Sequence, residues 1–130
     1  MRSASLLSQP LIDQAKSQTR YGLGEPRHEH DDCIRIAYEW LDAQRKISGP
    51  NTRTTRPLKH IVEAWAGRYV CQSDVEVAAQ LHPEITGRYP HFNVSSRLTR
   101  PNIRRLDGIV EAFKHSGYCD RYQDSYSITE

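Results

Sequence analysis

Arginine side chains are concentrated in one stretch of this sequence, residues 86–106, and their chemistry suits contact with phosphate. The stretch contains no aspartate or glutamate, so no carboxylate within it neutralises the guanidinium groups. Arginine binds phosphate or guanine through two parallel hydrogen bonds, and a serine hydroxyl bonds a base edge or a phosphate oxygen. The candidate contact residues for a polyanion are Arg88, Ser95, Ser96, Arg97, Arg100, Arg104 and Arg105.

The chain as a whole is not a polycation, so any attraction to phosphate must be local. Its 130 residues carry a formal net charge of +2 at pH 7. Affinity that rests on a basic patch of this kind falls as the salt concentration rises. The alternative is that the arginines form a solvated face without a partner, or pair with carboxylates elsewhere in the chain.

Residues 28–33 contain several side chains that ligate metals, yet their arrangement favours a structural role. Adjacent residues of an extended segment point in opposite directions, and no second group of Cys or His lies at a spacing typical of zinc sites. We expect a polar helix start with Asp31 or Asp32 as its cap, and no metal or other cofactor. No glycine-rich phosphate loop and no Gly-x-Ser-x-Gly elbow occurs, so we expect no enzyme.

Cysteine usage and hydropathy indicate a cytoplasmic protein without a membrane partner. The three cysteines, Cys33, Cys71 and Cys119, are odd in number and widely spaced, which favours reduced thiols over a disulfide framework. No apolar run approaches the ~18 residues of a membrane span. The apolar stretch near Met1 is too short for a signal peptide.

Hydrophobic periodicity predicts two helices in the first half of the chain. Over residues 31–47, two adjoining apolar stripes, one containing Trp40, make a broad face that suits contact with several elements or with a second subunit. Residues 51–56 form a polar basic linker. The next helix has an apolar face that includes Trp65, and Gly67 is expected to end it.

Local capping signals predict two further helices. Ser73 and Glu76 fit a capping box, in which a serine hydroxyl and a glutamate each satisfy a backbone N–H of the first turn. Asn93 is expected to cap another helix that begins at Val94. Pro101 interrupts that helix.

The end of the sequence alternates in the manner of a β-hairpin. Residues 109–114 would form the first strand, and residues 126–129 would return as the second. A helix over residues 109–115 is the competing interpretation, and periodicity over so short a run leaves both open.

This order of elements resembles winged helix-turn-helix domains over residues 57–130. The residues that carry the resemblance are the helix Asp74–His82 with its Ala78-Ala79 pair, then Val94–Leu98, Gly108–Glu111 and Tyr126–Glu130. The resemblance implies a mainly α-helical fold with a small β-hairpin, preceded by an additional N-terminal helix. We divide the chain into an arm, residues 1–30, that is flexible or docks, and a single helical winged-helix-like domain, residues 31–130.

The resemblance also implies a function. Residues 93–100 would enter the major groove of DNA, Arg104 and Arg105 would grip the backbone, and a wing near Arg121 would reach an adjacent groove or phosphate. We therefore expect a DNA-binding protein, a small transcriptional regulator that reads duplex DNA with residues 93–105. A homodimer through the Trp40 helix would match two half-sites.

Two alternatives stay open from the residues. A protein-binding adaptor would use the broad face of helix 31–47 and would meet an acidic surface with its arginines. An RNA or single-strand binder would stack unpaired bases on Tyr89 and Phe92, beside Arg88.

Overall fold

The computed structural model describes residues 7–53, 57–119 and 121–130. These residues form a mainly helical fold with a sheet of two short strands. Its elements are α1 (Gln9–Gln18), α2 (Asp31–Ala43), α3 (Leu58–Ala66), α4 (Gln72–Leu81), β1 (Leu98–Arg100) and β2 (Tyr126–Thr129). None of the helices found in this described part is long and apolar enough to cross a membrane. Residues 1–6 of the predicted arm and residues 54–56 of the predicted linker lie outside it.

Helix α2 is the centre of the core and packs against α3 and α4. Most residues of the predicted apolar stripes are buried, with the Trp40 side chain 0% exposed, whereas Ile47, beyond the end of the helix, is 41% exposed. Trp40 Nε1 donates a hydrogen bond to the hydroxyl of Tyr126 at 3.0 Å. Because the Trp40 side chain is buried and bonded within the chain, it contributes no surface to the predicted dimer. The helix also ends at Ala43, short of the predicted residue 47, and Gln44 is its C-cap.

Helix α1 and the segment that follows it lie against α4. Ile12 and Ala15 are the buried residues of α1. In the following segment, Gly22 N donates to Glu76 Oε2 at 2.7 Å and Arg27 N donates to Ser73 Oγ at 3.0 Å. The polar residues near the start of α4 therefore hold the segment between α1 and α2 in place.

The predicted capping box of α4 is wrong by two residues. The N-cap is Cys71, and its backbone N–H donates to Asp74 Oδ2 at 2.8 Å. Ser73 lies inside the first turn and is fully buried. Ser73 and Glu76 have the right types and spacing for a box, but their side chains bond the segment after α1 instead.

The two strands pair in parallel, so the predicted hairpin is wrong. Leu98 lies opposite Tyr126, and Arg100 lies opposite Thr129. Residues 109–115 form a series of turns, neither strand nor helix. They are fastened to the end of α3, where Ala66 O accepts from Phe113 N at 2.8 Å. The helix itself ends as predicted at Gly67, whose φ of 60° is a conformation that glycine adopts without strain.

Candidate nucleic-acid interface

Two segments with little regular structure, residues 44–53 and 92–99, run beside each other and are joined by buried carboxamide side chains. Gln44, Asn51 and Asn93 are 3%, 7% and 6% exposed. Gln44 donates to Thr99 O at 2.7 Å and accepts from Thr99 N at 2.9 Å. Its side chain thus satisfies both backbone groups of one residue, as a neighbouring strand would.

Asn51 and Asn93 continue this arrangement. Asn51 Nδ2 donates to Val94 O at 2.9 Å and to Ser96 Oγ at 2.7 Å. Asn93 Oδ1 accepts from Thr86 N at 2.8 Å, and its Nδ2 donates to Glu84 O at 2.9 Å. The two asparagines therefore fix the path of residues 92–96 against the linker and against the loop after α4.

The helix predicted to begin at Val94 is absent from the structure. Val94 forms an isolated antiparallel bridge with Lys46, and residues 98–100 are strand β1. Asn93 does not cap a helix, because its side chain bonds the backbone of the loop before it. Backbone groups of Val94, Ser95 and Thr99 bond residues 44–51, and Leu98 and Thr99 also pair with β2.

These contacts create a groove of about 280 Å³ without an acidic wall. The residues that line it are Ile47, Pro50, Asn51, Thr52, Arg53, Ser95 and Ser96. The backbones of Arg45 and Arg97 lie beside it, since Ser95 N donates to Arg45 O at 2.9 Å and Ser95 Oγ accepts from Arg97 N at 3.1 Å. We call the surface formed by Arg45, Arg53, Ser95, Ser96 and Arg97 the basic groove.

The three arginines of the basic groove have exposed side chains. None of them forms an ion pair with a carboxylate in the described part of the chain. Arg45, Arg53 and Arg97 are therefore available to an anion in solution, which is the electrostatic condition for a phosphate contact.

The structure does not bring the other predicted arginines to this groove. Arg88 lines a separate cleft beside α4. Arg100 lines another with Trp65 and Arg121. Arg104 is exposed on the 3₁₀ turn Ile103–Leu106. Arg88, Arg100 and Arg104 therefore do not line the groove, and Ser95, Ser96 and Arg97 are the predicted residues that line or adjoin it.

Arg105, which was expected to contact phosphate, bonds three carboxylates of the chain itself. Its Nη1 donates to Glu39 Oε1 at 3.0 Å and to Asp42 Oδ2 at 2.9 Å, and its Nη2 donates to Glu130 Oε2 at 2.5 Å. The hydrogen bonds to Glu130, followed by those to Asp42 and Glu39, raise the pKa of Arg105 above its ordinary value despite burial. The same contact lowers the pKa of Glu130.

Arg45, Arg53 and Asn51 were not predicted as site residues. The basic composition of residues 51–56 was the available signal for Arg53. No signal in the sequence identifies Asn51, because an asparagine in a polar linker has the same local pattern whether it is solvated or buried.

The polar side chains of residues 28–33 take part in separate structural contacts. His30, not Asp31 or Asp32, is the N-cap of α2, and its Nδ1 accepts from Asp32 N at 2.9 Å. His28 Nδ1 bonds Asp74 Oδ1 at 2.6 Å. Burial raises the pKa of the Cys33 thiol to about 12. Among residues 7–53, 57–119 and 121–130, no three His, Cys, Asp or Glu side chains are grouped to hold a metal ion.

Substituting Asn51 with aspartate is expected to destabilise the fold. The change removes the hydrogen bonds donated to Val94 O and Ser96 Oγ and places a carboxylate beside a carbonyl oxygen. We expect the free energy of unfolding to fall by about 2–3 kcal/mol in urea titrations. Asn102→Asp is the matched control, because exposed Asn102 accepts from Arg104 N through Oδ1 and aspartate keeps that bond. Equal effects of the two changes would contradict this role of Asn51.

Replacing Arg105 with alanine is expected to lower the free energy of unfolding by about 3 kcal/mol, since partly buried carboxylates lose their cation. Its neighbour Arg104 is exposed, so Arg104→Ala should change stability by less than about 0.5 kcal/mol. Thermal and urea unfolding of the two variants check this difference. An Arg105→Ala variant with an unchanged free energy of unfolding would mean that the ion pairs of Arg105 do not form in solution.

Comparison with known proteins leaves the function to be argued from this geometry. No protein-family model matches the chain, and the searches of curated proteins and of solved structures gave no match either. The likeness to winged helix-turn-helix domains therefore stays a prediction.

Proposed function

We propose that this chain binds duplex DNA through the basic groove. Arg45, Arg53 and Arg97 contact phosphates, and the hydroxyls of Ser95 and Ser96 bond phosphate oxygens or base edges. The observation that carries the proposal is the absence of any acidic side chain from the groove lining, next to three exposed arginines without ion pairs in the described residues.

Preorganisation supports this proposal. The groove lies between two segments whose backbones are held by Gln44, Asn51 and Asn93, so little chain ordering is required on binding. Phosphate contacts release condensed counterions from DNA, and each contributes about −0.9 to the slope of log affinity against log salt. Three arginine contacts therefore predict a slope of about −3.

The choice of a duplex over a single strand rests on the groove lining. Proteins that bind single strands stack bases on aromatic side chains, and the groove lining contains none. Phe92, one of the two aromatics of the single-strand alternative, is only 3% exposed. The hydroxyl of Tyr89 accepts a hydrogen bond from Lys59 N at 3.3 Å. These contacts favour a role for both rings in anchoring their loop.

A transcriptional regulator also requires base contacts, and the groove contains side chains of the right type. Arginine pairs with guanine and serine bonds several base edges. The segment that holds Ser95, Ser96 and Arg97 is not helical. We therefore propose that an extended segment, not an inserted helix, approaches the DNA.

Fluorescence anisotropy with a labelled duplex tests the proposal. We expect the log–log salt slope of about −3 between about 50 and 200 mM salt. The double variant Arg53→Glu, Arg97→Glu should weaken binding by more than about tenfold at low salt, because two attractive contacts become repulsive. An unlabelled single strand of the same length should compete less well than the duplex.

Arg121→Glu is the matched control, because Arg121 is exposed and lines a different cleft. It should leave the affinity within about twofold of that of the unaltered chain after correction for net charge. The proposal fails if the unaltered chain does not bind the duplex at low salt. It also fails if Arg121→Glu weakens binding as much as the double variant of the groove.

A further inference from the structure

A small cleft lies where the end of α3, the end of β1 and the start of β2 meet. It shares no lining residue with the basic groove. Its volume is about 180 Å³. Sites for whole small molecules usually measure roughly 300–1,000 Å³, so this cleft is too small for a ligand of that size. It suits an anchor side chain that another protein inserts.

Aromatic side chains line the cleft, and hydrogen bonds fix two of them. Trp65 Nε1 donates to Pro101 O at 3.2 Å. The hydroxyl of Tyr126 accepts from Trp40 Nε1 at 3.0 Å. Because both rings are already bonded within the fold, a side chain that enters the cleft meets a surface that is ordered in advance, which lowers the entropic cost of binding.

Phe113, another aromatic residue of the cleft, has an unusual backbone conformation. Its φ is 65°, in the left-handed region that bulky residues rarely adopt. The residue is 45% exposed, so burial within the chain offsets only part of this strain. Ile103 also lines the cleft and is 50% exposed. Backbone strain beneath an exposed aromatic side chain, next to a second exposed apolar residue, is typical of a surface that binds a partner.

Two arginines give the cleft a positive charge. Arg100 and Arg121 line it and are exposed, and its lining contains no aspartate or glutamate. The guanidinium of Arg121 lies 5.3 Å from the ring centroid of Tyr118, a contact that orients the cation without neutralising it. Neither arginine forms an ion pair with a carboxylate in the described part of the chain. Such a cleft is complementary to an apolar side chain flanked by carboxylates.

We infer that this cleft docks an acidic segment of a partner protein. An apolar side chain of that segment packs on Trp65 and Phe113. The carboxylates next to it in the segment pair with Arg100 and Arg121. A DNA duplex fits less well, because its phosphates would pair with the arginines and leave the exposed apolar side chains in water.

Fluorescence anisotropy of the full chain with short labelled peptides tests the inference. Each peptide has one phenylalanine, leucine or tryptophan between two pairs of glutamates. At least one of them should bind saturably at low salt. Replacing its apolar residue with serine should weaken binding by about tenfold or more, because the burial of that side chain is lost. Replacing its glutamates with glutamines should also weaken binding, and raising the salt concentration should reduce this difference.

Variants of the chain locate the peptide. Phe113→Gly removes the side chain and supplies a residue that adopts a φ of 65° without strain, so it is expected to fold, which circular dichroism checks. It should weaken peptide binding by about tenfold. The double variant Arg100→Glu, Arg121→Glu should prefer a peptide with lysines in place of the glutamates. A misfolded chain would not show this reversal of charge preference.

The double variant Arg53→Glu, Arg97→Glu is the matched control, because it changes the net charge equally but alters the basic groove. It should leave the affinity for the acidic peptide within about twofold of that of the unaltered chain and should not create a preference for the lysine peptide. The same reversal in this control would overturn the inference.

The inference does not rest on the proposed DNA contact, and an excess of unlabelled duplex should not displace the peptide, since the two sites share no residue. Absence of saturable peptide binding at low salt would overturn the inference, as would equal binding of the serine peptide. Displacement by the duplex would assign this surface to nucleic acid, and self-association that Phe113→Gly abolishes would assign it to a second copy of the chain. Either result would also overturn the inference.

Discussion

The region that carries the candidate interface depends on hydrogen bonds from three buried carboxamides. A buried backbone must have partners for its N–H and C=O groups, and helices and sheets supply these partners from within. The segments 44–53 and 92–99 contain almost no regular structure, so Gln44, Asn51 and Asn93 supply the missing donors and acceptors. Without them these segments would either take up water or separate, and the basic groove would lose its shape.

Neighbouring arginines have different roles because the surrounding carboxylates differ. Arg105 faces Glu39 and Asp42 of α2, and its charge is compensated within the fold. Arg104, one residue earlier, is exposed. Arg97 is exposed as well and lies next to Ser95 at the groove. A run of positive charge in a sequence therefore overstates the surface that remains for a polyanion, since part of it neutralises the protein's own acids.

The parts of the fold that the sequence predicted are those with a strong local signal. The buried face of α2 as far as Leu41, the apolar face of α3 with Trp65 and the stop at Gly67 are confirmed. The helix at Asn93 was wrong because an asparagine that caps a helix and one that bonds a distant backbone have the same side chain. The parallel pairing of β1 with β2 was missed because it joins residues far apart in the chain, and alternation does not identify a partner.

In the candidate site too, local sequence signals identify some residues, and long-range contacts determine the position of others. Ser95, Ser96 and Arg97 could be selected from residue type alone, whereas their proximity to Arg53 depends on Asn51, which bonds Ser96 across 45 positions. The most direct measurement is therefore the mapping of backbone amide chemical shifts while a duplex is titrated into the isotope-labelled chain. The account predicts the largest changes at residues 45–53 and 95–97. Largest changes around residues 103–106 or 121–126, with the groove unaffected, would contradict it.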